Sequence, residues 1–203
     1  MALVALDLPS PRQLRGGWAA LAAIYASRGW DDVAATENEW RFHDGGGNWA
    51  TLRFQDGGRA VLLGHDHEYS ETYFGDAAAY FGEDETDLLA EAPAWWSHDL
   101  STGRHSDWIG FIYGWDGETW RRSAYQQDDG FRSVGLLQAG SLDTLTAFSR
   151  DAPGLDGEPD PMALAALVAA DADLTPAVME AVVPGWDVAA GVAAGRRFLL
   201  RRT

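Results

Sequence analysis

Residues 40–74, WRFHDGGGNWATLRFQDGGRAVLLGHDHEYSETYF, contain three extended runs separated by clusters of glycine and aspartate. The clusters Asp44-Gly45-Gly46-Gly47-Asn48 and Asp56-Gly57-Gly58 tolerate the positive φ that tight hairpin turns require. The runs 40–43, 49–55 and 59–63 are therefore expected to form a β-meander. In the middle run Ala50, Leu52 and Phe54 alternate with Trp49, Thr51, Arg53 and Gln55, a period of two that gives one apolar and one mixed face. Ala60-Val61-Leu62-Leu63 is apolar on both sides, which predicts a central strand covered on each face.

A second meander is expected from the runs 107–113, 119–125 and 131–137. Their joints, Trp115-Asp116-Gly117-Glu118 and Gln127-Asp128-Asp129-Gly130, each contain Asp-Gly, a strong hairpin signal. Ahead of the first meander, Ser10-Pro11 opens a helix with apolar residues at Leu14, Trp18, Leu21 and Tyr25 and a stop at Gly29. Gly16-Gly17 is a poor helix interior, so this helix is expected to depend on packing against the sheet. Short helices are expected within 75–100, from Ser141 to Phe148, after Asp160-Pro161 and Thr175-Pro176, and near Trp186. The fold class that follows is α+β. It has a mainly antiparallel sheet of about six strands, an N-terminal helix packed on it and a short helical C-terminal segment. Residues 1–150 are expected to form the main domain, and 151–203 a linker (DAPGLDGEPDP) with helices packed on it.

Composition narrows the function. The chain has 203 residues, 46% of them hydrophobic and 12% aromatic, enough for a real core. It has no cysteine, which excludes a disulfide framework and a thiolate metal site. Neither a secretory signal nor an apolar run of the ~18 residues that span a bilayer is present, so a cytoplasmic protein without membrane attachment is expected. The net charge is −16 and every one of the 15 basic residues is arginine. Phosphate-backbone binding needs clustered cations, so nucleic acid is not an expected partner, whereas a basic protein is.

Charge segregation is the most unusual feature. Between Ala60 and Gly103 there is no arginine but there are ten carboxylates, including Asp66, Glu68, Glu71, Glu83, Asp84, Glu85 and Asp87. Tyr69, Tyr73, Trp95 and Trp96 are interleaved with them. Carboxylates steer a cationic partner and aromatics anchor it, so these residues are the expected binding surface. A small, acidic, cysteine-free, tryptophan-rich chain of this kind resembles, in general character only, the immunity proteins that neutralise bacterial toxins. The resemblance implies a non-enzymatic module that sequesters or inhibits a basic protein, and no family motif carries a functional residue over.

Two other readings use different residues. An enzyme would draw on His65, His67 and Glu68, joined by His43 from the neighbouring strand, with or without a metal; His65 and His67 would leave one face if the extended conformation continued. A small ligand could also lie in an aromatic groove. Ser70-His67-Asp66 and Ser101-His105-Asp107 lack the Gly-x-Ser-x-Gly context of a nucleophile elbow, and Gly45-Gly46-Gly47 precedes a strand and has no lysine, so it is a turn rather than a phosphate cradle. No cofactor is expected, and no stoichiometric transition metal, for which His65 and His67 would be the nearest ligands.

Overall fold

The computed structural model describes residues 2–98, 100 and 108–199; the triad at Ser101, His105 and Asp107 lies outside them. Seven strands form one sheet: β1 (Val4–Leu6), β2 (Val33–Ala35), β3 (Glu39–His43), β4 (Trp49–Gln55), β5 (Arg59–His65), β6 (Phe111–Trp115) and β7 (Trp120–Arg122). Their order is β1-β7-β6-β5-β4-β3-β2. The helices are α1 (Pro11–Ser27), α2 (Asp76–Phe81), α3 (Leu142–Ser149), α4 (Pro161–Ala169), α5 (Pro176–Val182) and α6 (Val188–Arg196). The fold is α+β, with an antiparallel sheet, as the turn chemistry predicts. No helix among the described residues is long and apolar enough to cross a membrane.

The sheet departs from the expected six strands in two ways. The short runs at 4–6 and 33–35 are strands, paired with β7 and β3 respectively. Conversely, 131–137 is not a strand. The N–H groups of Ser133 and Val134 both turn back to the Gly130 carbonyl, and a single 3-10 turn follows at Leu136–Gln138. The second meander is thus a two-strand hairpin, with Trp115 opposite Trp120. In its turn the Asp116 carboxylate accepts the Glu118 and Thr119 N–H groups and pairs with Arg121.

The chain divides into two compact units. One comprises residues 1–10 and 43–134. Its central strand, β5, is buried from Ala60 to His65. Val61 and Leu63 share a face with Ile112 and pack with Leu88, Trp96 and Tyr125, while Trp49, Phe74, Leu89 and Trp95 border this core. The segment 72–97 that covers this face is pinned by Thr86 N–H on the Tyr73 carbonyl (2.7 Å) and by the Ser123 hydroxyl on the carbonyls of Leu88 and Ala90.

The other unit comprises residues 11–42 and 135 onward. Its axis is α1, buried at Trp18 and from Ala19 to Tyr25. Trp18 packs against Trp40 and Phe42 of β3 (ring centroids 5.8 and 6.5 Å apart), so the helix lies on the sheet as expected. The glycines that weaken α1 as an isolated helix let other backbones approach: a Cβ on Gly17 would come within 2.9 Å of Gly140 N, and one on Gly16 within 2.5 Å of the Val168 carbonyl. Ser141, Asp160, Thr175 and Asp187 cap α3, α4, α5 and α6 through their side-chain oxygens.

Candidate functional site

The polar exit of β5 does not stay extended. The Asp66 carboxylate accepts the N–H groups of Glu68 (3.0 Å) and Tyr69 (2.8 Å), which turns the chain immediately after His65. The two histidines consequently part. His65 is 5% exposed and its ring packs on Trp108 with centroids 4.1 Å apart. His67 is exposed, with Nδ1 2.9 Å from Asn48 Oδ1 and Nε2 4.0 Å from Glu68. His43 is occupied locally, its Nδ1 accepting the Gly45 N–H. Among the described residues no group of three or more His, Asp and Glu side chains is placed to hold a metal ion. Ser70, His67 and Asp66 form no triad: the Ser70 hydroxyl is a structural lock between the Asp66 N–H and the Asp129 carbonyl, and His67 turns to Asn48.

The proposed surface residues fall into three settings. Asp66 (1% exposed) and Trp96 (2% exposed) are buried and belong to the turn and the core. Trp96 is therefore corrected from a surface anchor to a core residue. Trp95 is half-buried, with the Arg59 guanidinium over its ring at 5.2 Å. Glu68, Tyr69, Glu71, Glu83, Asp84, Glu85 and Asp87 are exposed. Of these, Glu85 accepts the Gly75 N–H and Asp87 the Leu89 N–H, so they also shape the loop after α2.

That loop borders an aromatic cluster whose centre the sequence does not reveal. Trp108 donates Nε1–H to the Thr72 carbonyl (2.7 Å) and stacks on Tyr73, centroids 5.0 Å apart and planes 14° apart. Phe81 of α2 packs against both rings, at 4.7 Å from Trp108 and 5.7 Å from Tyr73. Tyr80 meets Phe81 edge-on at 4.9 Å. Tyr80 is 84% exposed and Phe81 46%. A six-residue helix (DAAAYF) that ends in two exposed aromatics has no reason in its own folding to present them, since burial is what such side chains gain from most. The period-two pattern that puts His65 on the face of Val61 and Leu63 was readable, but the covering of that face by Trp108 was not.

His65 is the electrostatic outlier of the cluster. Burial under the aromatics lowers its pKa to about 4, the nearby Asp66 opposing this and His67 adding to it. It is therefore neutral at pH 7, and among the described residues its Nδ1 makes no hydrogen bond. A second polar knot lies behind the Asp128–Gly130 turn, where one oxygen of Asp129 accepts hydrogen bonds from the hydroxyls of Tyr113 (2.6 Å) and Tyr125 (2.7 Å). Burial and then the Asp129 charge raise both phenols well above their ordinary range. The knot ties this turn to the hairpin, a long-range role that the turn signal alone did not disclose.

No protein-family model matches the chain, and no significant match is found among curated proteins or solved structures.

Proposed function

We propose that this chain is a non-enzymatic acidic binding module that sequesters or inhibits a basic protein partner, and that it takes hold of that partner through the surface around α2. The observation that carries the reading is the pairing of exposed aromatics with exposed carboxylates. Phe81 stands on the Trp108–Tyr73 stack with Tyr80 edge-on against it, both exposed, and Asp76, Glu83, Asp84 and Glu85 are exposed within a few residues on either side of them. Supporting it, the loop is fixed close by: Gly82 and Glu83 N–H groups bond to the Ala78 carbonyl, and Glu85 to Gly75. Carboxylates held at the rim of an aromatic patch steer a cation toward it, and the rings then supply the desolvated contact. The net charge of −16 favours a cationic protein over nucleic acid in the same way.

Stopped-flow association with a basic synthetic polypeptide tests this. Changing Glu83, Asp84, Glu85 and Asp87 together to Lys slows association at low salt, and the difference shrinks above ~150 mM salt, where the Debye length is about 8 Å. An association rate unchanged by the fourfold reversal, or one without salt dependence, contradicts the reading.

A further inference from the structure

We propose that Trp108 and the rings on it form an acid-released latch over the end of β5, in which proton uptake by His65 frees Trp108 while the sheet stays paired. This device does not depend on what the α2 surface binds. His65 is the last residue of β5 and 5% exposed, with its ring 4.1 Å from that of Trp108 and, among the described residues, no hydrogen bond at Nδ1. A neutral imidazole leaves at most an unused acceptor there, whereas a protonated one donates from both nitrogens and leaves a buried donor unused. Trp108 supplies no acceptor, because an indole nitrogen only donates and its N–H is on the Thr72 carbonyl. Trp49 stands opposite His65 on β4, and Tyr73 and Phe81 lie against Trp108, so these neighbours bring no charge to the ring. Of the charged groups beside it, Asp66 favours the proton and His67 opposes it, and burial outweighs both. Asp66 Oδ1 already accepts the Glu68 and Tyr69 N–H groups.

A charged ring at this place needs water, and the two walls that keep water out differ in strength. β5 is paired along its whole length with β4, from Gln55 opposite Arg59 to Trp49 opposite His65, and with β6 from Ala60 to Gly64. On the other side, Trp108 and Tyr73 are only half-buried and Phe81 is exposed. The weaker wall opens first, as sub-global openings do in regions with few buried contacts. Because Phe81 packs on Trp108 at 4.7 Å, release of the indole also loosens α2. The closed state holds the His65 pKa at about 4, against 6.5 for a solvated ring. The latch is therefore fully held above that window and weakens as pH falls through it, opening being favoured about a hundredfold more at pH 4 than at pH 7.

Hydrogen exchange of the Trp108 indole N–H, followed by NMR on the full chain, reads the opening directly. Its protection, corrected for intrinsic exchange, is expected to fall about a hundredfold between pH 7 and pH 4. At both pH values it is expected to stay well below that of the Val61 and Leu63 amides on β5. In His65→Phe, which replaces the imidazole by an apolar ring, the indole protection is expected to change little over the same range. The wild-type His65 ring signals supply a readout that needs no variant, with a titration midpoint expected below about 5. Indole protection equal to that of the β5 amides at pH 4 overturns the proposal, because Trp108 is then released only by unfolding. A fall of the same size in His65→Phe overturns it by assigning the effect to the carboxylates. Unchanged wild-type protection, or a His65 midpoint near 6.5, overturns it as well.

Discussion

His65 shows how one turn changes what a residue can do. The sequence places it beside His67 in a dense polar run, and an extended chain would have sent both imidazoles out together. Asp66 folds the chain back instead, leaving His65 under Trp108 and His67 in solvent. Periodicity gave the face of His65; the competing side-chain-to-backbone bonds of Asp66 decided the rest. A depressed histidine pKa has a definite sign for stability. Between the unfolded value of 6.5 and the folded value of about 4 the unfolded chain binds more protons, so stability falls as pH drops through that window and is fully present above it. Urea unfolding at pH 7 and pH 4 should show the wild type losing stability relative to His65→Phe, by up to about 3 kcal/mol. A difference between the two proteins that does not change with pH would contradict this. Trp96 teaches a related lesson. It shares the residues 94–96 turn with Trp95, yet its ring lies so close to β6 that a Cβ on Gly114 would come within 2.1 Å of it. Nothing in the local sequence separates a buried Trp from its half-buried neighbour, because the difference lies in a glycine 18 positions away.

At the scale of elements, local chemistry was a good guide wherever it acts locally. The cap-and-proline pairs Asp160-Pro161 and Thr175-Pro176 open α4 and α5 as expected, and Asp56-Gly57-Gly58 turns β4 into β5 with Gln55 opposite Arg59. The same signals misled where tertiary contacts competed. Asp128-Asp129-Gly130 resembles a hairpin turn, but Asp129 is engaged by Tyr113, Tyr125 and Ser70, and the chain coils after it. The glycines of α6 were equally opaque. A Cβ on Gly191 would lie 2.8 Å from the Ala23 carbonyl and 2.6 Å from Met179 Cε, and one on Gly195 would lie 3.2 Å from the Ala19 carbonyl. Small residues at i and i+4 on both α1 and α6 thus set how closely the two helices cross. Gly191→Val should therefore destabilise the chain by about 2 kcal/mol, because overpacking outweighs the gain in helix propensity. A chemical denaturation midpoint equal to or above that of the wild type would show that the crossing is loose.

The whole molecule joins two compact units, each assembled from separated stretches of the chain, and a net charge of −16. Within the unit formed by residues 1–10 and 43–134, charge and exposed aromatic surface coincide around α2. Charge segregation between Ala60 and Gly103 pointed to this region from sequence alone. Which rings are exposed was less legible: Tyr80 and Phe81 lie on the surface while Trp96 is in the core, a division that depends on what covers β5 and β6. The central claim is that a cationic partner is held here and not by acidity in general. Backbone amide chemical-shift mapping tests it most directly, with the isotope-labelled full chain titrated with hexa-arginine. The account predicts saturable shifts concentrated at Tyr73–Asp87 and at Trp108, with Asp143, Asp151 and Asp173 unmoved. Shifts spread evenly over the acidic residues, or centred on those three aspartates, would contradict it.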